Sequence, residues 1–136
     1  MEFRALPMTV CAALLALVVH GSAQAQVGDE RILAARAALE RNDRATLEQL
    51  AARPEGHPLD AYVDYWLWLN RIERDPLLDR AGLEAFLTRQ PSKVIGDRLR
   101  MAWSKRLAGE NDWRTIQSLH AAIERPDDEQ TCLGQR

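Results

Sequence analysis

Cysteine is nearly absent from this 136-residue chain, with two residues in all, and histidine is almost as scarce, with three. A disulfide framework is thereby excluded. A compact zinc site is excluded as well, because His57 and His120 stand far apart and neither has a cysteine or second histidine three or four positions away. Glycine and proline are few, at seven and six, and no glycine-rich phosphate loop or nucleophile elbow occurs, so no cofactor site is expected. No segment alternates apolar and polar residues with a period of two, which leaves strands without a signal. Lysines and arginines are interspersed with acids and the net charge is −2, so the clustered cations of a nucleic-acid surface are missing.

What is present begins at the amino terminus. Met1-Glu2-Phe3-Arg4, an apolar stretch from Met8 to Val19 and the small-residue site Ala23-Gln24-Ala25 follow in the order of a secretory signal peptide. The apolar run is too short for a membrane span, which needs roughly 20 residues. Residues 1–25 are therefore expected to be a leader cleaved after Ala25, with residues 26–136 forming one exported, periplasmic domain with no membrane span. Cys11 falls inside the leader, so Cys132 is expected to be the lone cysteine of the mature chain, in an oxidising compartment.

Helix signals recur along that domain. Asp29 is expected to cap a helix with Ile32, Ala35 and Leu39 inward, ended at Asn42-Asp43; Asp43 caps the next, with Leu47, Leu50 and Ala51 inward, broken by Pro54 and Gly56. Pro58 suits the first turn of the following helix. That helix carries two apolar stripes, Leu59, Tyr62, Val63, Trp66 and Leu69 on one side and Ala61, Tyr65, Trp68 and Ile72 on the other, so it should pack on two sides. Asp79 caps a short helix stopped by Pro91, and Ser92 caps a longer one that ends at Gly109, the residue best able to turn left-handed. Asp112 caps a last helix with Ile116, Leu119 and Ile123 inward, ended by Pro126-Asp127-Asp128.

The caps Asp43, Asp79 and Asp112 open segments that superimpose: Asp43-Arg44-Ala45-Thr46-Leu47, Asp79-Arg80-Ala81-Gly82-Leu83 and Asp112-Trp113-Arg114-Thr115-Ile116. Their recurrence at about 34 residues is the period of helix-turn-helix repeats. The expected fold is all-α, with stacked αα-hairpins forming a short right-handed superhelix of the tetratricopeptide-like solenoid type, each pair hiding its apolar side against the next.

In this order the residues resemble a known family. His57-Pro58-Leu59-Asp60-Ala61-Tyr62-Val63-Asp64-Tyr65-Trp66 resembles a helix near the start of the soluble lytic murein transglycosylases. Gly82-Leu83-Glu84-Ala85-Phe86-Leu87 with Pro91, then Asp97-Arg98-Leu99-Arg100 with Trp103, then Asp112-Trp113 and Cys132, are similar to later elements of the same helical domain. The resemblance implies a scaffold that threads a peptidoglycan glycan strand past stacked helices. A separate lysozyme-like domain then cuts between N-acetylmuramic acid and N-acetylglucosamine, leaving a 1,6-anhydro end, with one glutamate as acid and then base. The chain has no counterpart of that glutamate-serine segment. It is thus expected to be a truncated, non-catalytic member, whose partners are the glycan strand or the missing C-terminal domains. It is also expected to self-associate through an uncovered C-terminal end.

Two acids invite a catalytic reading, Glu55 in a loop and Asp64 amid aromatics, although Asp64 is expected instead to hydrogen-bond a neighbouring tyrosine or arginine. Of the four tryptophans, Trp66 and Trp103 fall on core stripes, whereas Trp68 and Trp113 are the better candidates for stacking on a sugar ring or partner, with helix-to-helix packing still the expected role of each. The competing expectation is a stand-alone periplasmic adaptor that binds a peptide or protein in the groove of a short repeat array.

Overall fold

A computed structural model describes the backbone of residues 19–135 and the side chains of residues 28–135. The apolar core of the expected leader, Cys11 included, lies outside the described residues. Among those described there are seven helices and no strand: α1 (Val19–Glu40), α2 (Arg44–Ala51), α3 (Asp60–Arg74), α4 (Arg80–Arg89), α5 (Lys93–Gly109), α6 (Trp113–Ala121) and α7 (Asp128–Gly134). No helix among them is long and apolar enough to cross a membrane.

The boundaries have local causes. Asp43, Asp79 and Asp112 each accept a hydrogen bond on the side chain from the backbone N–H three residues on, at Thr46 (3.1 Å), Gly82 (2.9 Å) and Thr115 (3.3 Å). One orphan donor of each helix start is thereby satisfied. Ser92 caps α5 in the same way through the Ile95 amide. In the first and third Asp-capped corners the threonine hydroxyl also donates to the aspartate, Thr46 to Asp43 at 2.6 Å and Thr115 to Asp112 at 2.9 Å.

The helices before those two corners end alike. Asn42 and Asn111 take left-handed backbone angles, φ 56° and 60°. The Asn42 amide donates to Leu39 and the Asp43 amide to Ala38, just as the Asn111 amide donates to Ala108 and the Asp112 amide to Leu107. This is the paired carbonyl closure of a Schellman ending. Asparagine is one of the few side chains besides glycine that enters this region at low cost. An Asn-Asp dipeptide thus finishes one helix and starts the next within two residues.

Two apolar clusters hold the helices together. In the first, Ile32, Ala35 and Ala38 of α1 meet Leu47 of α2 and Val63 and Leu67 of α3. In the second, Trp68 and Ile72 of α3, Leu83 and Leu87 of α4, Ile95, Leu99, Trp103 and Leu107 of α5 and Ile116 of α6 pack together. Helix α3 therefore contributes to both, as its two stripes predict. The odd-numbered helices lie against one another in succession, α1 on α3, α3 on α5 and α5 on α7, while α2 packs on α1 and α3, and α6 on α5 and α7. Helices of eight to ten residues, such as α2, α4 and α6, are marginal alone. Complete burial of Leu47, Leu83 and Ile116, at roughly 1.5–3 kcal/mol each, is what fixes them.

Ion pairs lace consecutive corners. Arg44, directly after the first cap, reaches Asp75 beyond the end of α3 (2.9 Å). Arg80, directly after the second cap, reaches Asp112 (3.0 Å) and Glu110 beyond the end of α5. Trp113 stands where a third arginine would continue the series.

Several expectations require correction. Asp29 caps nothing, because α1 already runs as helix from Val19 and its side chain instead meets His57 Nε2 at 3.0 Å. Pro58 and Leu59 precede α3, which starts at Asp60, and Leu59 is an exposed cap position with no core role. Gly109 ends α5 without a left-handed turn; Asn111 supplies it two residues later. Helix α6 ends at Ala121, before Ile123 and short of Pro126-Asp127-Asp128, where Asp127 instead caps α7 through the Gln130 amide (2.8 Å). Tyr62 and Leu69 pack with the second cluster, and Leu67, absent from either expected stripe, is buried in the first.

Candidate functional site

An open groove of about 760 Å³ runs between α3 and α5. Its floor is built by residues three to four apart on two neighbouring helices, which face the same way: Tyr65, Leu69 and Ile72 from α3, and Met101 and Ala102 from α5. Arg106 closes one end. Its guanidinium donates to the carbonyls of Ile72, Asp75 and Pro76 and to the Glu110 carboxylate, so it neutralises the orphan carbonyls at the end of α3 and holds that end against α5.

The rim is charged. Asp75 is tied to Arg44 and accepts from the Leu77 amide at 3.0 Å, and Asp127 is committed to the start of α7. Lys105 pairs with Glu129 at 2.7 Å, a hydrogen bond that raises the lysine above its ordinary range. Arg74 and Arg98 also line the groove, and neither has a carboxylate or carbonyl partner among the described residues. Glu73 is the rim carboxylate left without a partner there. The arrangement offers two unspent guanidiniums over an apolar and aromatic floor, which is chemistry for holding a ligand with anionic groups.

A second polar cluster lies at the other end of α3. Arg31, almost fully buried, donates to the Leu50 carbonyl at 2.7 Å and to the Asp60 carboxylate. Burial alone would raise Asp60, but its bond to Arg31 and those from the amides of Glu55 and His57 hold the carboxyl below its ordinary value. Asp64, one turn on, has no hydrogen-bond partner among the described residues, contrary to the bond expected with a tyrosine or arginine. Burial raises its pKa; nearby Arg31 opposes the shift and Asp60 adds to it. Asp64 does not line the groove. Glu55 is exposed and leaves its amide, not its carboxylate, in contact with Asp60.

All four tryptophans pack between helices, the role favoured for Trp68 and Trp113 over sugar stacking. Trp103 is buried in the second cluster and Trp66 is half-buried against the first, as their stripes predict. Trp68 is 9% exposed. The Arg71 guanidinium lies 5.0 Å over its ring and Phe86 packs at 6.0 Å, so its surface is already occupied. Trp113 is half-buried against the second cluster. The groove, in contrast, draws on none of the four tryptophans and on residues from helices separated in sequence by all of α4. Only Tyr65, Leu69 and Met101 at helical spacing could have hinted at its floor. Cys132 is an exposed free thiol on α7, and no cluster of three metal-ligating side chains occurs among the described residues.

No known protein family, no curated protein and no solved structure matches this chain.

Proposed function

We propose that this chain is a non-catalytic helical scaffold of the bacterial envelope, a short solenoid of stacked αα-hairpins. In that reading it forms the start of the helical domain of a periplasmic lytic transglycosylase that works on peptidoglycan glycan strands. The supporting observation is the duplicated corner. Asn42-Asp43 and Asn111-Asp112 share backbone angles, capping bonds and threonine bonds, and the residues at matching positions, Leu47 and Ile116, are both wholly buried. A unit repeated with this fidelity suits a structure whose work is to present a surface. The ordered resemblance of residues 57–66, 82–91 and 97–103 supplies the chemistry of the partner.

Export and partner can be tested together. The full chain, produced in a Gram-negative host, is expected in the periplasmic fraction and on sedimented murein sacculi. Retention in the cytoplasm, or a supernatant that keeps all the protein in the presence of sacculi, would count against the reading.

The groove between α3 and α5 favours a second reading, a stand-alone adaptor that binds a peptide or protein partner. Cross-linking from Met101 or Leu69 positions to one envelope protein, with none to sacculi, would support it over the first.

A further inference from the structure

Resting on the adaptor reading, we infer that the α3/α5 groove takes an extended peptide of a partner protein bearing two acidic side chains on either side of an apolar one, at alternate positions i, i+2 and i+4. Two unspent guanidiniums define the ends. Arg106 binds the carbonyls of Ile72, Asp75 and Pro76, so Arg74 lies level with it. Arg98 stands eight residues earlier on α5, which at 1.5 Å per residue is about 12 Å along the groove.

An extended chain advances about 3.3 Å per residue and sends every second side chain to the same face. Acids four residues apart on one face therefore span about 13 Å, close to the length of α5 between Arg98 and the Arg106 end of the groove. The residue midway between them points down as well, onto the floor formed by Tyr65, Leu69, Met101 and Ala102. Asp75 is paired with Arg44, so it does not neutralise the Arg74 end. Glu73 and Asp127, the latter bonded to the Gln130 amide, are the rim charges that oppose an acidic ligand.

A heteronuclear NMR titration of the full chain tests this. The probe is a synthetic peptide with glutamates flanking a central leucine at alternate positions, with serines between. It is expected to shift the amides of Leu69, Met101 and Lys105. Binding should weaken about fivefold for each of Arg74→Ser and Arg98→Ser, weaken with salt, and strengthen on Glu73→Gln. A permuted peptide of the same composition, with adjacent glutamates, should bind less well. If the permuted peptide or a lysine-for-glutamate version shifts the same amides equally, the groove binds peptides but the acidic spacing is overturned. If no peptide shifts them, the inference falls, and capture of an envelope protein by cross-linking decides the adaptor reading separately. Both arginines are exposed, so the variants keep the fold, which the unchanged spectrum of α1 and α2 verifies.

Discussion

Asn111 repeats at the end of α5 the left-handed turn that Asn42 makes at the end of α1, φ 60° against 56°, and each hands the chain directly to a capping aspartate. Replacing either asparagine by alanine keeps the Cβ that crowds the following carbonyl, a strain of roughly 1–2 kcal/mol, and removes the short polar side chain that offsets part of it. Asn42→Ala and Asn111→Ala should each lower the melting temperature in circular dichroism, whereas the glycine variants should hold or slightly raise it. Equal behaviour of alanine and glycine would refute the corner geometry.

The aspartates that follow predict an acid-labile fold. Bonds from the hydroxyl and amide of Thr46 pull the Asp43 carboxyl below its ordinary value of 3.8, and those of Thr115, helped by Arg80, do the same for Asp112. A carboxyl bound more weakly by protons in the folded chain contributes stability above 3.8, and that contribution disappears as pH falls through the folded value. Asp43→Asn and Asp112→Asn should therefore narrow the difference in melting temperature between neutral and strongly acidic buffer. An unaltered pH profile in both variants would contradict the assignment.

Asp64 carries the opposite sign. Burial makes its charged form unfavourable in the folded chain, so the cost sets in as pH rises above 3.8 and is complete above the raised folded value. Asp64→Asn should stabilise the protein at neutral pH and make no difference well below 3.8. A loss of stability at neutral pH would reveal a bond that the geometry does not contain.

Arg31 is a tie that lysine cannot replace. Its planar head serves the Leu50 carbonyl and the Asp60 carboxylate at once, with 6% of its side chain exposed, and a single ammonium cannot reproduce that fork. Arg31→Ala leaves the Asp60 carboxylate without its cation, held only by the Glu55 and His57 amides, at about 3 kcal/mol. Arg31→Lys should recover less than half of the loss in urea denaturation.

Ser104 occupies, seven residues before Asn111, the place that Ala35 occupies before Asn42, and both are fully buried. The Ser104 hydroxyl has no hydrogen-bond partner among the described residues, and an unmade bond in a core costs about 1–3 kcal/mol. Ser104→Ala should thus raise stability, copying the first corner into the third. A drop of 1 kcal/mol or more, on the order of a lost native hydrogen bond, would show that the hydroxyl is satisfied.

How much of this was legible beforehand follows from range. Asp43, Asp79, Ser92 and Asp112 act on amides three residues away, so sequence alone exposes them. Asp29 looks the same locally, yet α1 extends ten residues upstream of it and removes the free amides a cap would serve. Trp68 sits on a stripe that sequence marks as apolar, but whether that stripe meets solvent depends on Phe86 and Arg71, one of them on another helix. The groove was invisible for the same reason: Tyr65 and Leu69 of α3 share a floor with Met101 and Ala102 of α5 only once α4 has turned the chain back. Helix α7 was missed because Pro126 reads as a stop, while Asp127 beside it restarts the backbone.

The closest helix packing joins elements one or two places apart along the chain, α1 to α3, α3 to α5 and α5 to α7, with α2 and α6 against their neighbours. Little long-distance searching is then required during folding, and rapid collapse from any hairpin outward is expected. The same economy leaves the two extremities energetically remote from each other, and α3, which supplies residues to both apolar clusters, is the element through which damage at Leu47 would reach the far half of the molecule.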